Sequence, residues 1–499
     1  MKRFISALAA LFFLVVIPGC NLLSKNEDTS SPDESHSGTS ETTKKRTSGA
    51  FTLAYNSQDS LNPYKVKTAI NLELCSLLYD GLTKIDIDMM PINILAASVE
   101  SPDPLTLIAE LQPNAKFSDG SKITSDEVVS SYLLARTSGY KVLLSNIKSA
   151  QPDGNRKIVF KLKTPDPNAA ACLSFPVIKN GTSSKPIGSG RYIFDDEESP
   201  VLRANPHHSA KPANKTIRLI DIPNDEAMIY ALASGSLSYY YTDLSGGVIP
   251  KTSGANINVP LNSLVFIGVN SKKTALSKKE VRLALSLSIN RENICASAFA
   301  GRARAALTPF NPGWASAAEI KGLESKENIN AAVAQLELAG YNNKNTADAV
   351  PKLELLVSKE NSFRIASADL LKAQFEKTGF RISIKKLAHS EIIKKLKSGD
   401  FDLYIGEIKL PVNMSLHPFL TSGGSASYGI KTTGGASKAY NKYLSGEMTL
   451  QEFTDVFSKD IPFIPLCWRF GMASYNRALT GVSATDSDVY YGIENWIFN

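Results

Sequence analysis

Two hydrophobic periods alternate along the chain, and the switches between them mark out the elements. After Thr124, the residues Val128, Val129, Tyr132 and Leu133 recur at helical spacing, and Thr124 with Glu127 forms a capping-box pattern ahead of them. Ser277 with Glu280 has the same form, followed by Val281, Leu285 and Ile289 at i, i+4 and i+8. Thr449 with Glu452 is a third instance and leads into Phe453, Val456 and Phe457. Between 325 and 406 the order reads helix, strand, helix, strand, helix, strand. The helices are expected over 329–339, 365–377 and 392–397, and each runs into a glycine: Gly340, Gly379, Gly399. Glycine just past the last periodic residue is a C-terminal stop. Between them, Leu353, Leu355 and Val357 alternate, 382–384 is extended, and 401–405 is apolar. Helices interleaved with strands pack as layers on a sheet, so the fold class is α/β. No unit of 20–50 residues repeats.

The N-terminus follows neither period. Met1-Lys2-Arg3 precedes a mostly apolar run over 4–17, the length of a signal-peptide core and too short to span a bilayer. The run ends Ile17-Pro18-Gly19-Cys20, similar to a bacterial lipobox, in which the cysteine is lipidated and becomes the mature N-terminus. Residues 1–19 are therefore expected to be a lipoprotein signal peptide. Residues 20–49, rich in Ser, Thr and mixed charges, bury too little to order and are expected to be a flexible tether. An acylated Cys20 would hold the following body at the outer face of the cytoplasmic membrane, or on the periplasmic side of a two-membraned cell. No later stretch is apolar enough to span.

At 499 residues with 43% hydrophobic and 21% charged positions, the chain holds more than one large core and is not disordered. Its net charge of +7 is spread along the length, which gives no basis for nucleic-acid binding. The five cysteines have neither CxxC spacing nor the density of a disulfide scaffold. Cys75, Cys172, Cys295 and Cys467 sit among apolar neighbours as small core residues. One bridge is compatible with an oxidising exterior, and the sequence does not choose the pair. No GxSxG, HExxH, P-loop or dinucleotide fingerprint occurs in the required context, so catalysis has no support. Of the five histidines, His207 and His208 are adjacent, a poor chelating pair on a strand, and His417 before Pro418 is expected in an exposed loop. No metal or cofactor is implied.

A set of segments, each weak alone, carries a resemblance. Phe117-Ser118-Asp119-Gly120 followed by Ile123-Thr124-Ser125-Asp126-Glu127-Val128-Val129 resembles a signature of the family 5 bacterial extracellular solute-binding proteins, the dipeptide, oligopeptide and nickel receptors of ABC importers. In the same order follow Pro186-Ile187-Gly188-Ser189-Gly190-Arg191-Tyr192, Val281-Arg282-Leu283-Ala284-Leu285 with Ile289-Asn290-Arg291, Lys397-Ser398-Gly399-Asp400-Phe401-Asp402, and Pro462-Phe463-Ile464-Pro465-Leu466. The resemblance covers about 51–470. It implies a two-lobed fold of the type II periplasmic-binding class with an added subdomain in lobe I. Lobe I would take 51–261, lobe II 262–468, and 469–499 would cross back and return to lobe I. It also implies that the protein is a monomer that captures a peptide or similar small solute and delivers it to a membrane permease. A sensing or chaperone-like binder without transport, or a receptor for an oligosaccharide or metal chelate, is the alternative.

Peptide-binding members hold an aspartate on the loop after the strand equivalent to 401–405, where it pairs with the peptide α-ammonium. Here that loop reads Gly406-Glu407-Ile408-Lys409-Leu410-Pro411-Val412-Asn413, and Pro411 takes the aspartate's place. Glu407 is the nearest acidic candidate, set against a salt bridge to Lys409 or plain solvation. Tyr64, Tyr79, Trp314, Tyr428 and Trp468 are candidate stacking surfaces in the cleft, with core packing as the other reading of each. Trp314 follows the turn Asn311-Pro312-Gly313, which would present it at a loop tip, and Trp468 is expected near the hinge.

Overall fold

The computed structural model describes residues 50–341 and 349–499. The signal segment, Cys20 and the tether lie outside the described residues. Two of the three capping boxes form. The Thr124 amide donates to Glu127 Oε2 at 2.9 Å ahead of helix Ser125–Ala135, and the Thr449 amide donates to Glu452 Oε2 at 2.8 Å ahead of Leu450–Asp460. The box at Ser277 does not form. A short helix, Thr274–Ser277, ends there, and the Ser277 hydroxyl turns back to donate to the Thr274 carbonyl at 2.7 Å. The next helix, Lys279–Leu287, is entered from Lys278 without a side-chain cap. The expected glycine stops hold: Gly340, Gly379 and Gly399 all have φ between 74° and 93°, which only glycine adopts at no steric cost.

A seven-stranded sheet organises one lobe. Its order is Tyr239–Thr242, Phe463–Tyr475, Ala255–Val269, Leu403–Lys409, Lys352–Ser358, Arg381–Leu387, with Ala303–Ala305 paired to Phe463–Tyr475. Lys352–Ser358 is parallel to both neighbours, and helices Ser362–Glu376 and His389–Ser398 make the crossovers that parallel pairing requires. Each face carries its own core. Val265, Ile267, Leu285, Leu355 and Phe375 pack on one side, and Leu264, Phe266, Leu356, Phe419 and Phe463 on the other. Burial on both faces explains why these strands read as near-continuous apolar runs.

The other lobe has two four-stranded sheets. One contains Thr52–Tyr55, Thr216–Asp221, Val201–Ala204 and Tyr192–Asp195. The other, antiparallel throughout, contains Ala96–Asp103, Thr106–Leu111, Lys157–Leu162 and Ile147–Asp153, and packs with helix Ser125–Ala135 over a separate core. The C-terminal segment completes the first: Trp496 is fully buried against Phe51 and Tyr239. Gly188 and Gly190 are spacers. A Cβ on Gly190 would lie 2.4 Å from the Leu77 carbonyl oxygen, so this segment can lie on the end of helix Ala69–Leu78 only as glycine.

Two strands belong to both lobes. Ala255–Val269 contributes Val259 and Leu261 to the first lobe's core, then Leu264 to Val269 to the second. Phe463–Tyr475 runs antiparallel beside it and makes the reverse passage, with Ala473 in the first lobe. The register between them shifts between Pro260 and Leu264, at the junction.

A buried ionic cluster pins the chain's return. Arg191 holds Asp488 at 2.9 Å and Glu494 at 3.1 Å, and Lys84 reaches Asp488 at 2.7 Å. Burial by itself raises the Asp488 pKa, but the charges of Arg191 and Lys84 outweigh it and hold the carboxyl well below the usual carboxylate range. Its contribution to stability is present above the unfolded value near ~3.9 and is lost as pH falls toward the folded one. The thermal midpoint is therefore expected to fall steeply below about pH 4, and Asp488→Asn should destabilise the protein at pH 7 by about 3 kcal/mol while flattening that acid limb. Parallel acid limbs in both proteins, followed by circular dichroism, would show that the cluster carries no such linkage.

Candidate ligand site between the lobes

Where the shared strands pass from one lobe to the other they leave a cavity of about 240 Å³. Its walls come from the turn at 85–89, the strand at 257–262, the tail at 482–487, and Val412 and Met414 of the second lobe. The volume lies just below the ~300–1,000 Å³ typical of small-ligand sites, enough for a short solute or one end of a longer one. Ile85, Met89, Ile257, Pro260 and Met414 supply apolar surface, and the charged residues in the lining are two carboxylates, Asp86 and Asp486. Asp486 is engaged: it accepts from Lys409 Nζ at 2.8 Å and from the Asn262 amide at 3.2 Å. Asp86 uses Oδ1 to fold its own turn, accepting from the amides of Asp88 and Met90.

A further carboxylate lies outside this lining and is linked to it through Tyr241, whose hydroxyl pKa both Glu73 and Asp486 raise. Glu73 lies half-buried on helix Ala69–Leu78 and makes no ion pair or hydrogen bond among the described residues. Burial, together with Asp225 and Asp243, pushes its pKa up to about 8, and Lys409 opposes the shift. The Tyr241 hydroxyl is raised by burial and by Asp486, Glu73 and Asp243, so these four groups of one lobe share a single electrostatic neighbourhood with Lys409 and Arg469 of the other. Direct contacts between the lobes include polar ones, Asn413 to Asp166 at 2.6 Å, Asn168 to Tyr443 at 3.4 Å and the Ala315 amide to the Asp88 carbonyl at 3.0 Å, and apolar ones, with Met89 and Met90 packed against the second lobe's core.

Glu407 is not free to meet a ligand cation. Arg364 donates to its Oε2 at 2.8 Å and Arg469 to its Oε1 at 2.5 Å, while Arg469 also reaches the Asp243 carbonyl at 2.6 Å. Nor is Lys409 its partner. The two share a strand face, but two guanidinium forks satisfy the carboxylate, and Lys409 extends to Asp486 instead.

None of the five candidate aromatics lines the cavity. Tyr64 donates to the Pro176 carbonyl and packs edge-on against Tyr140, and Tyr79 is buried with its hydroxyl on the Leu61 carbonyl at 2.8 Å. The turn before Trp314 forms as expected, yet the ring points inward and packs on Phe310 with 2% of its surface exposed, because the second lobe's core gains more from the indole than solvent does. Tyr428 is half-buried against that core. Trp468 does lie at the junction, in strand Phe463–Tyr475, but its ring is buried and its Nε1–H finds no acceptor among the described residues. His417 is half-buried in helix His417–Leu420 against Tyr440, not in an exposed loop, and burial lowers its pKa. His207 and His208 sit in a turn, where His208 contacts Asp80 at 3.3 Å.

Asp86, Asn262 and Asp486 carried no signal of their own, being ordinary polar residues of a turn, a strand and the tail. Glu73 did carry one. It is a lone carboxylate inside the run Leu72-Glu73-Leu74-Cys75 of an otherwise uncharged helix. For Glu407, removing the charge leaves two guanidinium groups uncompensated, so Glu407→Gln should lower the unfolding free energy by about 3 kcal/mol in urea titration. An unchanged midpoint would show that the two arginines are satisfied without it.

The model of the bacterial extracellular solute-binding proteins, family 5, matches residues 91–427. The oligopeptide-binding protein AppA of Bacillus subtilis is 25% identical over 362 residues, covering 66% of this chain and 67% of its own. Further peptide-binding relatives align over about half of their length. Among solved structures, the unliganded open form of the periplasmic murein tripeptide binding protein MppA superposes with a TM-score of 0.75 at 16% identity, covering 90% of this chain and 99% of that one. NikZ of Campylobacter jejuni in complex with Ni(L-His) gives 0.61 at 20% identity, covering 90% and 99%. These likenesses show the two-lobed fold. With two thirds of its length matched by the family model, the chain belongs to family 5 of the bacterial extracellular solute-binding proteins.

Proposed function

We propose that the protein captures peptides, or small solutes with a cationic group, in the cavity between its lobes and presents them to an ABC permease. One observation carries this reading: the cavity is bounded by both lobes at their junction, and its charged lining is wholly carboxylate. A site of that kind favours a ligand that brings its own positive charge, as a free peptide does through its α-ammonium. A ligand touching both walls has different affinities for the joined and parted lobes, which is the requirement for ligand-driven closure. Glu73 and Asp86 are the carboxylates assigned to the cation, in place of Glu407. Binding is the whole of the activity, and no reaction step is assigned.

The chain is tethered through a lipidated Cys20 after removal of residues 1–19, acts as a monomer, and divides into lobes near 261 and 468. Cys20→Ser should move the protein from the membrane fraction to the soluble fraction on cell fractionation, and continued membrane attachment would refute the anchor.

Native mass spectrometry and titration calorimetry test the ligand assignment. Free peptides are expected to bind at least about thirtyfold more tightly than their N-acetylated forms, the loss that follows from stranding one member of a buried charge pair. Pairing with a cation ionises Glu73, whose pKa of about 8 keeps it protonated at neutral pH in the empty site, so binding at pH 7 should release protons. The release is read from the dependence of the heat on buffer ionisation enthalpy and should vanish in Glu73→Gln. Equal affinities for free and blocked peptides, or a single non-peptide mass carried through purification, would replace this reading.

A further inference from the structure

Four cysteines are present among the described residues, all buried and unbridged, and they occupy three different cores. Cys75 lies in the first lobe beside Tyr79, with its thiol directed at the Leu61 carbonyl at 3.4 Å. Cys172 lies in the core of the subdomain built over 82–177. Cys295 and Cys467 share the third, on one face of the seven-stranded sheet.

The local geometry brings those two together. Helix Arg291–Ser297 lies over the shared strand Phe463–Tyr475, and Arg291 fixes its position by donating from Nε to the Pro465 carbonyl at 2.9 Å. Cys295 follows Arg291 by four residues, so it lies one turn further along the same helix face. On the strand, the register against Ala255–Val269 shifts between Val265 and Phe266, opposite Cys467 and Pro465. This irregularity turns both Leu466 and Cys467 into the core that holds Ile294 and Cys295, where strict alternation would send one of them to the other face. Both thiols belong to this one core and each shifts the other: Cys467 lowers the Cys295 pKa, while burial and Cys295 hold Cys467 well above the usual thiol range.

We propose that Cys295 and Cys467 form a disulfide in the exported protein, stapling helix Arg291–Ser297 to the strand that links the lobes. The oxidation is supplied by a disulfide-bearing thiol oxidant of the extracytoplasmic space. One cysteine thiolate attacks the oxidant's disulfide to give a mixed disulfide, and the second displaces it. One S–S bond is broken and one is formed, and the oxidant leaves as its dithiol, which carries the two protons and two electrons that the cysteines lose. The exchange precedes closure of the core, since the folded chain leaves 7% of Cys295 and none of Cys467 exposed. The bridge joins positions far apart in sequence, the case in which a cross-link restricts the unfolded chain most. It depends only on an extracytoplasmic location, not on the ligand assigned above.

The test uses the full chain, isolated from the cell envelope without reductant, denatured, alkylated with iodoacetamide and digested. Peptides bearing Cys75 and Cys172 should be alkylated, and those bearing Cys295 and Cys467 should be recovered as one cross-linked species that separates on reduction. Reduction should also lower the thermal midpoint of the wild type by several degrees and leave that of Cys295→Ala unmoved. Protein refolded in a mixture of oxidised and reduced glutathione should give the same map. Alkylated Cys295 and Cys467 in both preparations, or a bridge involving Cys75 or Cys172, would overturn the proposal.

Discussion

Strand pairing between Ala255–Val269 and Phe463–Tyr475 is the constraint on which the remaining structure depends. Each strand is buried in one lobe at one end and in the other lobe at the other, so the lobes cannot separate without leaving this ladder intact between them. Such a connection permits bending where the register is already irregular, between Pro260 and Leu264 and again between Val265 and Phe266, and resists twisting or sliding where the pairing is regular. It also fixes where a ligand can sit. The cavity walls from both lobes are carried directly on or beside these strands, so any change in the angle between the lobes changes the cavity first.

Charge around that junction is distributed unevenly, and the unevenness has a physical reading. Cations of the second lobe are spoken for: Arg364 and Arg469 by Glu407, Lys409 by Asp486. Glu73 of the first lobe has no ion pair among the described residues, and burial together with Asp225 and Asp243 raises its pKa. Asp488 shows the opposite outcome in the same lobe, where two cations settle the charge and the result is a fixed clamp.

Most of the fold was legible in the sequence because its elements obey local rules. Capping at Thr124 and Thr449, glycine stops at 340, 379 and 399, and the alternating order from 325 to 406 all follow from interactions within a few residues. Ser277 failed because its hydroxyl had a second local use one turn earlier, which a spacing rule does not weigh. The site was poorly legible for a related reason. Large aromatics such as Trp314 and Tyr79 satisfy a core as well as they satisfy a ligand, and the sequence carries nothing to tell these apart. Glu407 was chosen by closeness to a family position, whereas its environment is set by Arg364 and Arg469, which lie 43 and 62 residues away along the chain. Distant partners of this kind decide whether a charge is available, and no local pattern encodes them.

The packing of Phe51 against Trp496 and Phe498, with ring centroids 6.4 and 6.0 Å apart, closes the first lobe with residues from opposite ends of the described chain. The strand that opens the lobe, Thr52–Tyr55, finds its parallel neighbour only at Thr216–Asp221, and its aromatic cover only in the last few residues. Contacts of such long sequence separation form late and slowly. A growing chain therefore cannot complete this lobe while any of its C-terminal segment is still to be made. Until Trp496 and Phe498 are in place, the rings of Phe51 and Tyr239 lack their cover.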